Sequence, residues 1–145
     1  MTGYKAYQGN QVEGAGPLGL VILTYDALNK SLGRARLGIE AKDFAEEATH
    51  TGRALEALIE LSSSLNMEQG GDVAKNLASL YTYMMNHLTE GMCSGSTASV
   101  DEVMELAATL RDGWKALEKQ ESRARAASRP VARMSASPAM AAYAR

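Results

Sequence analysis

Leu18, Val21, Ile22, Tyr25, Leu28, Leu32, Ala35 and Ile39 recur at intervals of three and four, which is the repeat of one helix face and not the alternation of a strand. Three more stripes follow it. Phe44, Ala48, Leu55, Leu58, Ile59, Ser62 and Leu65 make the second. Val73, Leu77, Leu80, Tyr81, Met84 and Leu88 make the third, and Val100, Val103, Ala107, Leu110, Trp114 and Leu117 make the fourth, a coiled-coil-like seam. Only three prolines interrupt the chain, so long helices are permitted almost everywhere. Four such segments with short connections predict an all-α fold, an antiparallel four-helix bundle.

The punctuation agrees with that count. Pro17 suits the first turn of helix one, where its missing N–H costs nothing, and the stripe carries that helix to about Ala41. Asp43 can cap helix two, with Glu46 and Glu47 in its dipole-favoured first turn. The serines at 62–64 and Asn66 end it. Helix three is expected from about Gly71 to Gly91, and Ser99-Val100-Asp101-Glu102 has the form of a capping box for helix four.

With 145 residues the chain can bury one core, and its domains divide into residues 1–16, a flexible N-terminal arm; 17–121, the bundle; and 122–145, a disordered tail. The arm has no helical stripe but two apolar anchors, Tyr7 and Val12. The tail is biased to Ala, Ser, Pro and Arg. Charge is divided along the same line. Residues 1–121 hold all 17 acidic side chains against 10 basic ones, whereas residues 122–145 hold five arginines and no acid. The tail lacks apolar periodicity and any basic run longer than one residue, so a solvated tail is expected and no nucleic-acid partner.

The lone Cys93 excludes an internal disulfide. No signal peptide is visible, and apolar runs such as Leu20 to Leu23 are far too short for a bilayer; a cytoplasmic protein without stable membrane insertion is expected. Metal and cofactor chemistry have no complete constellation. Glu47 precedes His50 by three, as in carboxylate-bridged metal bundles, but the second pair is missing, so both are read as solvated helix surface and no metal or cofactor is expected.

The stretch richest in binding character begins at Gly70-Gly71, a break, and runs through Asp72 to Met85. If Leu77, Leu80 and Met84 face inward, Tyr81, Tyr83 and Met85 are displaced toward or beyond the margin of the stripe, where rigid aromatics and soft methionines suit contact with another helix. Asn76 is placed to satisfy a backbone group of a bound partner. Tyr81 sits one position from the centre of the stripe, so core membership is its rival reading.

The double glycine and the Asn-Leu-x-x-Leu-Tyr-x-Tyr run after it resemble the FliS family of flagellar secretion chaperones. So do Ala15-Gly16-Pro17 with the apolar run to Tyr25-Asp26, and Leu110-Arg111-Asp112-Gly113-Trp114, all in the family's order over roughly positions 4 to 120. Thr24 and Ala27 depart from it, standing where the family usually has an aliphatic residue and often a glycine. The resemblance implies a non-enzymatic export chaperone whose client is the disordered C-terminal segment of flagellin, held against premature polymerisation and delivered to the flagellar type III export gate. It also implies that the arm before helix one lies near the client groove, giving Tyr7 and Val12 roles there. The resulting client-binding set is Tyr7, Val12, Asn76, Tyr81, Tyr83 and Met85.

The alternative is a histidine phosphotransfer domain using His87, since those are also four-helix bundles and the spacing from His87 to Gly91 matches theirs. Glu90 then puts a negative charge where that chemistry wants a cation, which favours an ordinary surface histidine.

Overall fold

The computed structural model describes residues 2–127 and 138–143, with the side chains of residues 2–15 and 138 outside that description. The described chain is all helix: α1 (Thr2–Glu40), α2 (Phe44–Ser63), α3 (Met67–Gly91), α4 (Ala98–Ala126) and a single turn, α5 (Pro138–Ala141). Among the described residues there is no strand, and no helix is long and apolar enough to cross a membrane. α1 packs on α2 and α4, and α3 packs on the same two, so the long helices close a four-membered ring.

Sequence accounts for most boundaries. The Asp43 carboxylate accepts from the Glu46 amide at 3.1 Å, and the side chain of Asn66 does the same for Gln69 at 2.9 Å. α3 therefore begins at Met67, one turn before the expected start. Gly71 lies inside it with φ 52 and ψ −131, a left-handed conformation that glycine adopts without a Cβ penalty. The capping box expected at Ser99 is not used. α4 begins at Ala98, and the Thr97 hydroxyl donates to Asp101 without capping the backbone.

α1 is longer than expected. Helical backbone starts at Thr2 and breaks at Gly16, whose φ 68 and ψ −177 belong to a region almost exclusive to glycine; Pro17 then opens the second stretch. The arm expected without regular structure thus has helical backbone, although Tyr7 and Val12 fall among the residues whose side chains are not described.

All eight positions of the first stripe are buried. In α2 the buried face is instead Glu47, His50, Thr51, Ala54, Ala57, Leu58 and Leu61, while Phe44 is 62% and Ile59 54% exposed. The approach at the start of α2 is close: a Cβ on Gly38 of α1 would stand 2.7 Å from the Glu47 backbone nitrogen, so the two helices meet there almost backbone to backbone, and Leu58 and Leu61 supply the large buried side chains further along. Glu47 and His50 are accordingly not solvated surface. Glu47 accepts from the Cys93 amide at 3.1 Å, and His50 Nε2 lies 3.0 Å from Glu46. No group of side chains fit to hold a metal ion occurs among the described residues.

Two ion pairs tie α1 to α4. Arg111 Nε donates to Asp26 at 2.5 Å and Arg36 Nε to Asp101 at 2.7 Å, which sets the two helices antiparallel. Exposed pairs like these contribute at most about 1 kcal/mol each, so the core outweighs them.

The rotated face of α2 gives a direct test. Leu58→Ala empties a fully buried position and is expected to cost about 2 to 5 kcal/mol in denaturant unfolding. Ile59→Ala, its exposed neighbour, should stay within about 0.5 kcal/mol of the parent.

Candidate functional site

The tail expected to be disordered from residue 122 onward does not stay away from the bundle. α4 runs to Ala126, and residues 138–143 return to pack on α3, with Ala142 and Tyr143 buried. The Asn66 amide donates to the Ala142 carbonyl at 2.6 Å, gripping the turn between α2 and α3. A Cβ on Gly70 would meet Ala142 Cα at 2.8 Å, so the first glycine of the pair is what lets the tail come this close.

Tyr143 enters the core edge-on to Trp114, with ring centroids 5.2 Å apart, and ends a chain of hydroxyls. Its hydroxyl lies 3.1 Å from the Leu61 carbonyl, 2.7 Å from the Tyr81 hydroxyl, and Tyr81 in turn lies 2.5 Å from that of Tyr25. A carbonyl only accepts, so the direction is set: Tyr143 donates to Leu61, Tyr81 to Tyr143, and Tyr25 to Tyr81. The Leu61 carbonyl belongs to the last turn of α2, where the Leu65 amide turns to Ser62, leaving an acceptor that Tyr143 satisfies.

Burial is the main force holding all three phenols protonated, raising each well above its ordinary 10.0. Donation to Tyr81 pushes Tyr25 further up, and donation to Tyr143 does the same for Tyr81. Acceptance from Tyr81 works the other way on Tyr143.

Beside Tyr143 a cleft of about 290 Å³ opens between the start of the bundle part of α1 and the end of α2, walled by Leu20, Val21, Thr24, Leu61 and Tyr143. Thr24 turns its hydroxyl back to the Leu20 carbonyl at 3.0 Å, so an apolar wall tolerates it.

The sequence-predicted residues separate into different environments. Asn76 is exposed on α3. Tyr83 is 46% exposed, stacks on His87 with centroids 5.4 Å apart, and donates to Glu102 at 2.7 Å, a bond that raises its own pKa and lowers that of the carboxylate. Met85 is half-buried against the core. Tyr81 is wholly buried, as its rival reading had it, because its hydroxyl is needed inside. Tyr7 and Val12 lie outside the described side chains. His87 Nε2 sits 2.5 Å from the Glu102 carboxylate, so the nitrogen that a phosphoryl group would need is already engaged by an anion.

The family described as flagellar protein FliS matches residues 1–121, and that match decides the class. The chain belongs to the FliS family. Three flagellar secretion chaperones show the range of likeness. FliS of Salmonella typhimurium is 30% identical over 126 residues, covering 83% of this chain and 93% of that protein. FliSB of Pseudomonas aeruginosa is 34% identical over 104 residues, 72% of this chain and 82% of its own. FliS of Bacillus subtilis is 27% identical over 129 residues, 89% and 96%. The FliS match ends at residue 121, so the segment that carries Tyr143 lies beyond it.

Tyr143 and the relay were missed from sequence. The available signal was slight: one aromatic in a stretch of small residues, the only one after Trp114.

The raised phenols make a pH prediction. Below pH 10 the phenols are protonated folded or unfolded, and their contribution is complete. Above it the unfolded chain loses protons that the folded chain retains, so stability falls as pH rises. Denaturant melts between pH 8 and about 11.5 should show that fall, and it should shrink in Tyr25→Phe/Tyr81→Phe/Tyr143→Phe.

Proposed function

We propose that this chain is a flagellar export chaperone which binds the disordered C-terminal segment of flagellin in the cytosol, prevents its premature polymerisation and passes it to the type III export gate. The observation that carries the reading is the FliS match over residues 1–121, together with relatives named as flagellar secretion chaperones. Bundle geometry supports it. A segment that forms apolar helices aggregates unless its stripe is covered, and a helical bundle covers it by accepting helices into surface grooves. This bundle already accepts one added turn, α5, against α3. Because the client orders only on binding, the wrapped surface must be large, on the order of 1,000 to 3,000 Å².

The chemistry is holding and release, with no covalent step. On α3 we assign client contacts to Asn76 and Tyr83, both exposed, and to the half-buried Met85; Tyr7 and Val12 of the arm complete the set. Tyr81 joins it only where the tail uncovers it. Calorimetry with a flagellin C-terminal peptide tests the reading. Tyr83→Ala should weaken binding by about 2 kcal/mol if it is an anchor, and leave unfolding nearly unchanged because the ring is exposed. Unaltered peptide affinity would remove Tyr83 from the groove; no binding by the parent chain would remove the chaperone reading. His87→Gln should bind like the parent.

A further inference from the structure

Tyr143 does not fill the space beside it: it walls one side of the cleft between α1 and α2 that Leu20, Val21 and Leu61 also line. The tail is held by the Asn66–Ala142 backbone bond, the Tyr143 hydroxyl, the ring contact with Trp114 and the burial of Ala142 and Tyr143, with Ala139 and Met140 packed against the core. A single helical turn has almost no stability of its own, since nucleation costs more than one turn returns. The receiving surface, by contrast, is shaped for backbone approach, with Gly70 clearing Ala142 and an acceptor carbonyl presented at Leu61.

We infer that this groove is a docking site for a helical turn bearing an aromatic residue behind small ones, that residues 139–143 are its resting occupant, and that the flagellin segment competes for it. The inference rests on the chaperone reading and adds a place and a cost to it. Occupancy by the tail keeps the Tyr81 hydroxyl and the Leu61 carbonyl covered in the empty chaperone, where an exposed apolar groove is an aggregation hazard. A client must displace the tail, so its apparent affinity is reduced by the fraction of molecules in which the seat is open. The tail's alanines, Met140 and Tyr143 are then the chain's own stand-in for a client stripe.

The test uses the full chain and a flagellin C-terminal peptide, read two ways. Amide hydrogen exchange by NMR follows Asn66, whose N–H is donated to Ala142. Peptide binding is expected to release the tail and strip protection from that amide. In parallel, calorimetry compares the parent with Tyr143→Ala, which empties the seat. The variant should melt earlier yet bind the peptide more tightly, by about tenfold if the seat is open in roughly one parent molecule in ten. A tail that is only a piece of core would give the opposite, a variant that melts earlier and binds equally or less tightly. Peptide binding with the Asn66 amide still protected overturns the competition and leaves the chaperone reading standing. Absence of binding by parent and variant alike overturns both. The exchange arm needs no substitution, so it decides even where Tyr143→Ala does not fold.

Discussion

Three phenol hydroxyls buried in one core must find partners or cost about 1 to 3 kcal/mol apiece, and this chain solves the problem with a single directed relay. Tyr25 of α1, Tyr81 of α3, Tyr143 of the tail and the Leu61 carbonyl of α2 are its members, and Trp114 of α4 packs edge-on against Tyr143, so each long helix meets it. Apolar packing holds the helices together without saying how far each may slide. Hydrogen bonds of 2.5 to 3.1 Å do say so. The relay is therefore where the helices agree on a common centre, and the tail is one of the parties to the agreement.

Most of the fold could be read from periodicity. All eight positions of the α1 stripe are core, as are Leu77, Tyr81, Met84 and Leu88 of α3 and Trp114 of α4. α2 could not be read that way. A stripe weighted by apolar residues selects Phe44 and Ile59, whereas the buried face of α2 also takes in Glu47, His50 and Thr51, because the backbones of α1 and α2 nearly touch at Gly38 and the residues there are covered whatever their polarity. Periodicity identifies an apolar face; it does not reveal the distance to the neighbour. The same gap hid the burial of Glu47, whose partner amide at Cys93 is 46 residues away.

The site was legible in part. Gly70-Gly71 drew attention for its break in the helix, and the structure gives its two glycines separate roles, Gly71 taking the left-handed backbone and Gly70 admitting Ala142. The tail itself left no pattern to read. One turn is too short for a stripe, and a neighbour brought back across the sequence gap from Ala127 to Pro138 answers to tertiary contact, not to local propensity. Exposure on α3 followed the spacing for Asn76 and Tyr83, and of the two readings open for Tyr81 the structure takes the core one, with its hydroxyl hydrogen-bonded inside.

The ion pairs between α1 and α4 carry a last consequence. Asp26 and Arg36 are ten residues apart on α1, and their partners Arg111 and Asp101 are ten apart on α4, running the other way. On two helices rising about 1.5 Å per residue that is a pair of rulers roughly 15 Å long, marked at both ends. Weak as each mark is, together they compare lengths. An insertion between the marks on one helix alone puts the rulers out of step at one end or the other, while a matched insertion on both restores them. Length change in this bundle is thus expected to be tolerated in pairs across α1 and α4, or in the connections, and not within either helix singly.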